Sequence, residues 1–197
     1  MFKDTDFNVF DDPTLDGRMD GIRNVIDPTF EEFAEKALPI LAIDGQDWYA
    51  HVAKHAMRKT NPVDNTWVAF APNKRGYKMM PHFEMGMWAD HVYLYLAVEE
   101  NMKPKQTEEI VPKLRNVAGL VEKLPSEFLI SQQHMINANV PLNQYEATVD
   151  RFAKVKSAEV LVGVRMNRGD SRFGTEQMEK DLLKALEALL PIYEALK

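Results

Sequence analysis

Apolar residues recur every three or four positions in five segments of this chain, which is the spacing of one face of an α-helix. A helix is predicted over Leu15–Ile26, and Asp27-Pro28 begins a second one, because Asp caps helices well and Pro suits their first position. The later helices are predicted at Thr107–Leu124, at Tyr145–Val155, and after a capping Thr175. A turn is predicted over 43–46.

Other segments alternate apolar and polar residues, or are short and rich in β-branched and aromatic residues, which predicts strands. They are Trp48–His55, Trp67–Ala71, Tyr77–Met87, His91–Glu99, Glu127–Ser131 and Ala158–Met166. Trp48–His55 is also compatible with a helix. In His91–Glu99 the aliphatic side chains face one side, whereas His91, Tyr93 and Tyr95 face the other. The segment 72–76 is predicted as the turn of a hairpin.

The order of these elements predicts an α+β fold in a single domain, residues 1–197, with helices on one face of an antiparallel sheet. The second face of the sheet is then expected either to be solvated or to line a groove. The 197 residues are 45% apolar, which suffices for one core.

Composition narrows the setting. The chain has no cysteine, which excludes disulfides, thiolate nucleophiles and cysteine-ligated metals. The N-terminal segment carries acidic residues where a signal peptide needs basic ones, and no apolar run approaches the roughly 20 residues of a membrane helix. We therefore expect a cytoplasmic protein without a membrane segment. A monomer is compatible with this composition, which does not determine the oligomeric state.

Charge is distributed unevenly along this acidic chain, whose net charge is −6. Residues 51–91 contain six basic residues and only three acidic ones, namely Lys54, Arg58, Lys59, Lys74, Arg75 and Lys78 against Asp64, Glu84 and Asp90. Four of the five histidines lie there too. Such a segment is expected to attract a small anionic ligand, whereas nucleic acid is not an expected partner of so acidic a protein.

The candidate site residues come from this segment. His82 and Glu84 alternate on one strand and are about 7 Å apart, so they can face a common ligand. A binding groove for a small anion is predicted on the sheet, lined by His51, His55, Arg75, Lys78, His82 and Tyr93. Histidines four residues apart chelate a metal only on a helix. Because the strand is favoured at His51 and His55, we expect no metal and no cofactor.

Two other functions remain open at this point. The first is a hydrolase or transferase acting on a phosphorylated or carboxylated metabolite, with His82 or His51 as general base and Lys78 or Arg75 stabilising negative charge. The second is an interaction module that uses Trp48, Trp67 and Trp88 as its surface. Phosphate-binding loops, nucleophile elbows and the HExxH metal motif are absent from the sequence.

Several short segments resemble the YktB family of uncharacterised bacterial proteins. They are His51–Ala56, Asn61-Pro62, Asp64–Ala69, Asn73–Lys78, Pro81–Phe83 and Gly86–Trp88, with Asp6–Phe10 and Leu15–Met19 near the N-terminus. The resemblance covers nearly the whole chain and is looser after Lys123. It implies a fold like that of the TATA-binding protein, a curved antiparallel sheet packed on helices. It implies no reaction, cofactor or catalytic residue, because the family has none assigned.

Overall fold

The chain forms one antiparallel sheet with helices on one face. The computed structural model describes residues 1–42, 45–103 and 105–197. The predicted turn over 43–46 includes Ile43 and Asp44, which lie outside the described residues. Seven strands follow the order β1-β2-β3-β4-β7-β5-β6. Their bounds are Tyr49–Val52 (β1), Asn65–Ala71 (β2), His82–Trp88 (β3), His91–Val98 (β4), Phe128–Ser131 (β5), Val140–Pro141 (β6) and Val160–Asn167 (β7).

The helices lie close to their predicted positions. They are Leu15–Gly21 (α1), Asp27–Leu41 (α2), Thr107–Asn116 (α3), Ala118–Val121 (α4), Tyr145–Lys154 (α5) and Glu176–Leu196 (α6). A π-helical stretch, Ile22–Ile26, joins α1 to α2, so the backbone does not break where Asp27 was expected to cap a new helix. The α+β single-domain fold is confirmed, and the expected likeness to the TATA-binding protein stays a prediction.

One face of the sheet carries the main core. Phe70 and Phe83 point from β2 and β3 toward the helices, where Phe70 packs against Phe33 of α2 at 6.1 Å between ring centroids. Phe83 packs against Tyr193 of α6 at 5.4 Å. The alternation read from the sequence therefore placed the aliphatic side of the strands correctly against the helices. No helix within the described ranges is long and apolar enough to span a membrane.

The second face of the sheet is neither solvated nor an open groove, which corrects the expectation. All eight residues of β4 are buried. Loop residues cover this face, and two of them form hydrogen bonds with its aromatic side chains. The hydroxyl of Tyr77 accepts from Trp67 Nε1 of β2 at 2.9 Å, and Asn139 Nδ2 donates to Tyr95 Oη of β4 at 2.9 Å. Large aromatic side chains on this face need such a cover, because each removes a large apolar area from water when it is buried.

Two predicted strands are shorter than expected. The strand predicted over Trp48–His55 is confirmed only as Tyr49–Val52, and His55 lies beyond it with a positive φ of 48°. The strand predicted from Tyr77 begins at His82 instead. Lys78 consequently lies in a loop and does not share a strand face with His82.

Candidate functional site

Five ionisable side chains meet under the loops of the second face, and we call them the His–Glu cluster: His82, Glu84, Glu99, His134 and Glu159. Both side chains of the pair from β3, His82 and Glu84, are 0% exposed. Glu99 follows the end of β4, Glu159 precedes β7, and His134 lies in the loop after β5.

The register of the sheet explains why residues so far apart in sequence meet. His82 lies opposite Ala97, and Val98 lies opposite Val160. Side chains alternate along a strand, so Glu99 points to the same side as Ala97. Glu159 stands beside Glu99 by the same argument on the neighbouring strand. Three carboxylates and a histidine thus share one end of the second face.

His82 is held by a backbone contact on one side and faces two carboxylates on the other. Its Nδ1 lies 2.9 Å from the carbonyl oxygen of Met80. Because a carbonyl oxygen only accepts, Nδ1 must carry the proton and donate. Nε2 then points between the carboxylates, 3.3 Å from Glu84 Oε1 and 3.4 Å from Glu99 Oε1.

A second histidine completes the cluster. The Nδ1 of His134 is 2.8 Å from Glu159 Oε2, and the backbone N–H of His134 donates to the same oxygen at 2.8 Å. Glu159 also accepts weakly from the N–H of Glu100, at 3.5 Å. These contacts fix the loop after β5 against the start of β7.

The surrounding charges shift the pKa values of these groups. Burial opposes protonation of His82, but its contacts with Glu84 and Glu99 outweigh burial and raise its pKa to about 9. The pKa of His134 is also raised to about 9, because Glu159, Glu84 and Glu99 outweigh burial. Burial raises the pKa of Glu99, yet the close contact with His82 and the charge of that imidazole bring it below its ordinary value.

Aromatic side chains wall the cluster. The Tyr77 ring meets the His82 ring edge-on at 4.8 Å, and the Trp67 ring meets that of His134 at 5.5 Å. Tyr93 stacks on Tyr95 at 4.6 Å, and Tyr95 lies directly opposite Glu84 in the register. Burial, followed by the charge of Glu84, raises the pKa of Tyr93. This wall keeps the cluster buried, and the low local dielectric strengthens the electrostatic interactions within it.

Several buried polar atoms in this region have no hydrogen-bond partner, namely Glu84 Oε2, Glu99 Oε1 and the Tyr93 hydroxyl. Glu84 and Glu99 are 0% exposed, and Tyr93 is 1% exposed. Leaving a buried polar group without a partner costs roughly 1–3 kcal/mol, and more for a charged one. Two of these three atoms belong to carboxylates of the His–Glu cluster, where this cost is greatest.

The structure brings only part of the predicted groove together. His82 is central, Tyr93 is the diagonal neighbour of Glu84 across the β3–β4 pair, and Lys78 lies at the rim with its Nζ 3.7 Å from Glu99 Oε2. Lys78 is 47% exposed in its side chain. The cationic end of the predicted groove is therefore a single half-exposed ammonium beside a carboxylate.

The other three predicted residues lie apart. His51 is on the same face as Glu84 but two strands away, about 10 Å, and its Nε2 contacts the carbonyl of Asn73 at 2.9 Å. His55 contacts the Thr66 hydroxyl at 3.1 Å, and burial lowers its pKa to about 4. Arg75 is exposed in the loop between β2 and β3.

Sequence reasoning missed three members of the cluster: Glu99, His134 and Glu159. Glu99 was included in the strand predicted over His91–Glu99, and its alternation with Tyr95 and Ala97 is the signal that could have found it. Glu159 was likewise inside a predicted strand, beside Ala158. For His134 we find no such signal, since it lies in a loop.

Two triads of the cluster have the arrangement of metal ligands. The first is His82, Glu84 and Glu99, and the second is Glu99, His134 and Glu159. In each triad one ligand atom from every residue lies within 4.8 Å of the others. His51 and His55, the histidine pair considered as metal ligands in the sequence, belong to neither triad. β1 ends before His55, and the two side chains have separate partners.

Similar proteins place the chain in a family. A family model described as "Domain of unknown function (DUF1054)" matches residues 2–193. A UPF0637 protein of Leuconostoc mesenteroides is 57% identical over 197 residues, covering 100% of both chains. A UPF0637 protein of Lactiplantibacillus plantarum is 38% identical, covering 98% of this chain and 94% of its own. The chain belongs to the DUF1054, or UPF0637, family. The YktB resemblance is consistent with this bacterial family, whose members are uncharacterised.

The tryptophan surface considered in the sequence is not formed. Trp48 is 8% exposed and packs on the helix side, 5.0 Å from Tyr193, whereas Trp67 is 8% exposed and packs on the second face. Trp88 is half-buried near Trp67. The three indoles therefore lie on opposite sides of the sheet and offer no common surface to a partner.

Proposed function

We propose that this protein binds a first-row divalent transition-metal cation through His82, Glu84 and Glu99. The observation that carries the proposal is geometric: a buried imidazole nitrogen faces two buried carboxylates at the spacing of metal ligands, and both carboxylates keep an oxygen without a hydrogen-bond partner.

The distances support a cation at this point. Ligands about 2.1 Å from a tetrahedral Zn²⁺ are about 3.4 Å from one another. His82 Nε2 is 3.3 Å and 3.4 Å from its two carboxylate neighbours. These two separations match that spacing, and all three ligand atoms lie within 4.8 Å of one another.

The orientation of His82 supports the same conclusion. Histidines that bind metals almost always donate their other ring N–H to a carbonyl or carboxylate, which fixes the tautomer and the ring plane. The contact from Nδ1 to the Met80 carbonyl is of this kind. It directs the lone pair of a neutral Nε2 at the two carboxylates, an arrangement that is repulsive unless a proton or a cation lies between them.

Charge favours a cation over an anion inside the cluster. Three carboxylates, Glu84, Glu99 and Glu159, surround two histidines, and all three are at most 2% exposed. An anion placed among them would meet repulsion in a region that screens charge poorly. The competing account is a closed ion-paired core, in which a protonated His82 takes the place of the metal.

The donor atoms define the class of metal. Imidazole nitrogen and carboxylate oxygen suit Zn²⁺, Mn²⁺, Fe²⁺ and Co²⁺, whereas soft Cu⁺ prefers the thiolates that this chain lacks. The metal would be held under the loops, so a molecule larger than water would reach it only after those loops moved. We therefore propose metal binding and no catalytic reaction.

A direct titration tests the proposal. Protein stripped with EDTA and dialysed is titrated with Zn²⁺ and Mn²⁺ by calorimetry, and with Co²⁺ by visible absorption. The variants H82Q and E84Q are compared with H51Q and E108Q, which change a histidine and a glutamate outside the cluster. We expect the wild type and both controls to bind, and H82Q and E84Q to bind roughly 100-fold more weakly.

Two further measurements keep the test decisive if a buried variant folds poorly. Circular dichroism establishes which variants are folded. Nitrogen NMR of the wild-type histidine side chains follows metal addition directly: Zn²⁺ should shift Nε2 of His82 and leave His51 unchanged. Absence of binding by the wild type, or binding that H82Q and E84Q retain in full, would overturn the proposal in favour of the ion-paired core.

The anion-binding groove stays a prediction that the same material can test. Inorganic phosphate is added to the stripped protein, and the melting temperature is recorded for the wild type, K78M and R75M. If phosphate raises the melting temperature and K78M abolishes that rise while metals have no effect, the anion hypothesis replaces the metal proposal. A rise with metals alone supports the metal proposal.

A further inference from the structure

We infer that the cluster takes two cations and that Glu99 bridges them. The first cation would lie between His82, Glu84 and Glu99, and the second between Glu99, His134 and Glu159. This inference rests on the proposed function and extends it from a single ion to a dinuclear centre.

The first step is the position of Glu99. It is a member of both triads whose ligand atoms lie within 4.8 Å of one another. It is 0% exposed, and its two oxygens face different neighbours. Oε1 lies 3.4 Å from His82 Nε2 and has no hydrogen-bond partner. Oε2 accepts from Asn101 Nδ2 at 2.9 Å and lies 3.7 Å from Lys78 Nζ. A carboxylate that belongs to two triads of ligand atoms is placed to bridge two ions.

The second step is that the two triads are adjacent in the sheet. Val98 lies opposite Val160, so Glu99 stands beside Glu159 across the β4–β7 pair. In proteins with two metals, the ions lie roughly 3.5–4 Å apart and share a bridging ligand. The two triads share the carboxylate of Glu99, whereas two independent sites would share no ligand.

The third step concerns ligands still available. Glu84 Oε2 and Glu99 Oε1 are buried without hydrogen-bond partners, and so is the Tyr93 hydroxyl. A single cation bound through His82 would leave Glu159 and His134 paired only with each other and with backbone N–H groups. Two cations and three carboxylates leave a small positive charge, which one bridging hydroxide derived from water would balance. Lys78, which is half exposed at the rim, can turn away from Glu99 into solvent.

Stoichiometry and coupling test the inference. The stripped protein is loaded with excess Mn²⁺, passed through a desalting column, and analysed for metal per chain and by electron paramagnetic resonance. The variants H134Q and E159Q remove ligands of the second cation, E84Q removes one of the first, and E99Q removes the bridge. H51Q and E127Q are the matched controls. Gln retains an acceptor oxygen at Glu159, so the contacts from His134 and Glu100 can persist.

We expect two Mn²⁺ per chain in the wild type and controls, and one in H134Q and E159Q. The wild-type spectrum should be that of a spin-coupled pair, and in H134Q it should become that of isolated Mn²⁺. E99Q should lose the coupling and weaken binding of both ions at least 10-fold.

The outcomes separate this inference from the proposed function. One Mn²⁺ per wild-type chain, unchanged in H134Q and E159Q, would overturn the dinuclear centre and leave the single-cation site standing. Two ions without spin coupling would also overturn the bridge. No bound Mn²⁺ in the wild type, together with none for Zn²⁺ or Co²⁺, would overturn both.

Discussion

At the scale of single residues, the pair His82 and Glu84 shows what a local sequence pattern can predict and what it cannot. Two positions apart on a strand, they were expected to face the same side, and they do. The sequence did not indicate that both are fully buried. Burial changes the interpretation of this pair. An exposed histidine beside a carboxylate is an ordinary surface pair, whereas a buried carboxylate is costly unless a compensating charge lies beside it.

A partly buried carboxylate elsewhere provides a prediction that pH can test. Asp27 at the start of α2 has a buried Oδ1 without a partner. Burial, with repulsion from Glu31, raises its pKa from 3.8 to about 6, although Arg23 opposes this. The folded state therefore binds the proton more tightly than the unfolded state. The charge costs stability above about pH 6, and this cost vanishes below pH 3.8.

We expect Asp27→Asn to stabilise the protein at pH 7 by about 1 kcal/mol, a value reduced for the partial solvent contact of this side chain. At pH 4 the gain should nearly disappear. Urea unfolding at both pH values measures it, with Asp20→Asn on the exposed side of α1 as the control. A gain of equal size at both pH values would show that the charge of Asp27 is not its cause.

At the scale of elements, the strands were easier to predict on the core side than on the other. Val92, Leu94, Leu96 and Val98 face the helices as the alternation indicated. The opposite side carries His91, Tyr93 and Tyr95, whose polar atoms suggested solvent. They are buried because loops supply hydrogen-bond partners and apolar contacts, and a single strand contains no information about such a cover.

The close packing of β4 and β7 predicts that replacing Gly163 destabilises the protein. A Cβ added at Gly163 would overlap the Leu94 carbonyl oxygen and press on the Tyr95 backbone, neither of which can rotate away. We expect Gly163→Ala to lower the free energy of unfolding by about 3 kcal/mol. In contrast, Gly119→Ala in α4 meets nothing within 4 Å and should raise stability by up to about 1 kcal/mol.

Urea unfolding of the two alanine variants compares these effects directly. Both variants add the same methyl group, but only the one at Gly163 overlaps β4, so the difference combines that overlap with the helix-propensity gain at Gly119. Similar stabilities for the two would contradict the close approach of the strands at Gly163.

At the scale of the whole molecule, the N-terminal segment is part of the core. Phe2 and Phe7 are 0% exposed. The Phe7 ring meets Phe173 edge-on at 5.1 Å, and the N–H of Gly174 donates to the carbonyl of Phe2 at 2.7 Å. The first residues of the chain thus join the segment that precedes α6, a contact that local sequence patterns do not reveal.

We expect Phe7→Ala to lower the free energy of unfolding by about 3–4 kcal/mol, because it removes a large buried ring and leaves a cavity. Val25→Ala is the control, since Val25 is 38% exposed and should cost well under 1 kcal/mol. Thermal and urea unfolding of both variants measure the difference. A cost for Phe7→Ala no greater than that of the control would show that the segment does not stabilise the fold.

The sequence by itself determined the α+β class, the approximate helices and strands, and the side of each strand that meets the helices. These features follow from periodicity, which residues near one another in the chain express. Of the six residues of the predicted lining, His51, His55 and Arg75 lie apart. The other three, His82, Lys78 and Tyr93, lie close to Glu84 or Glu99. Their chemistry was expected to suit an anion, because the count of charges in 51–91 omits Glu99 and Glu159.

Only the tertiary structure decided the rest of the cluster. Glu159 is 60 residues from Glu99 and meets it because β7 pairs with β4, out of chain order. His134 lies in a loop that is held against Glu159. The path of this loop depends on the part of the sheet that it covers, and the sequence pattern of the loop does not predict it. Strand order and loop placement follow from the total burial that the whole chain achieves. The cluster is therefore a property of the assembled sheet, because its members come from strands and a loop that only the whole fold brings together.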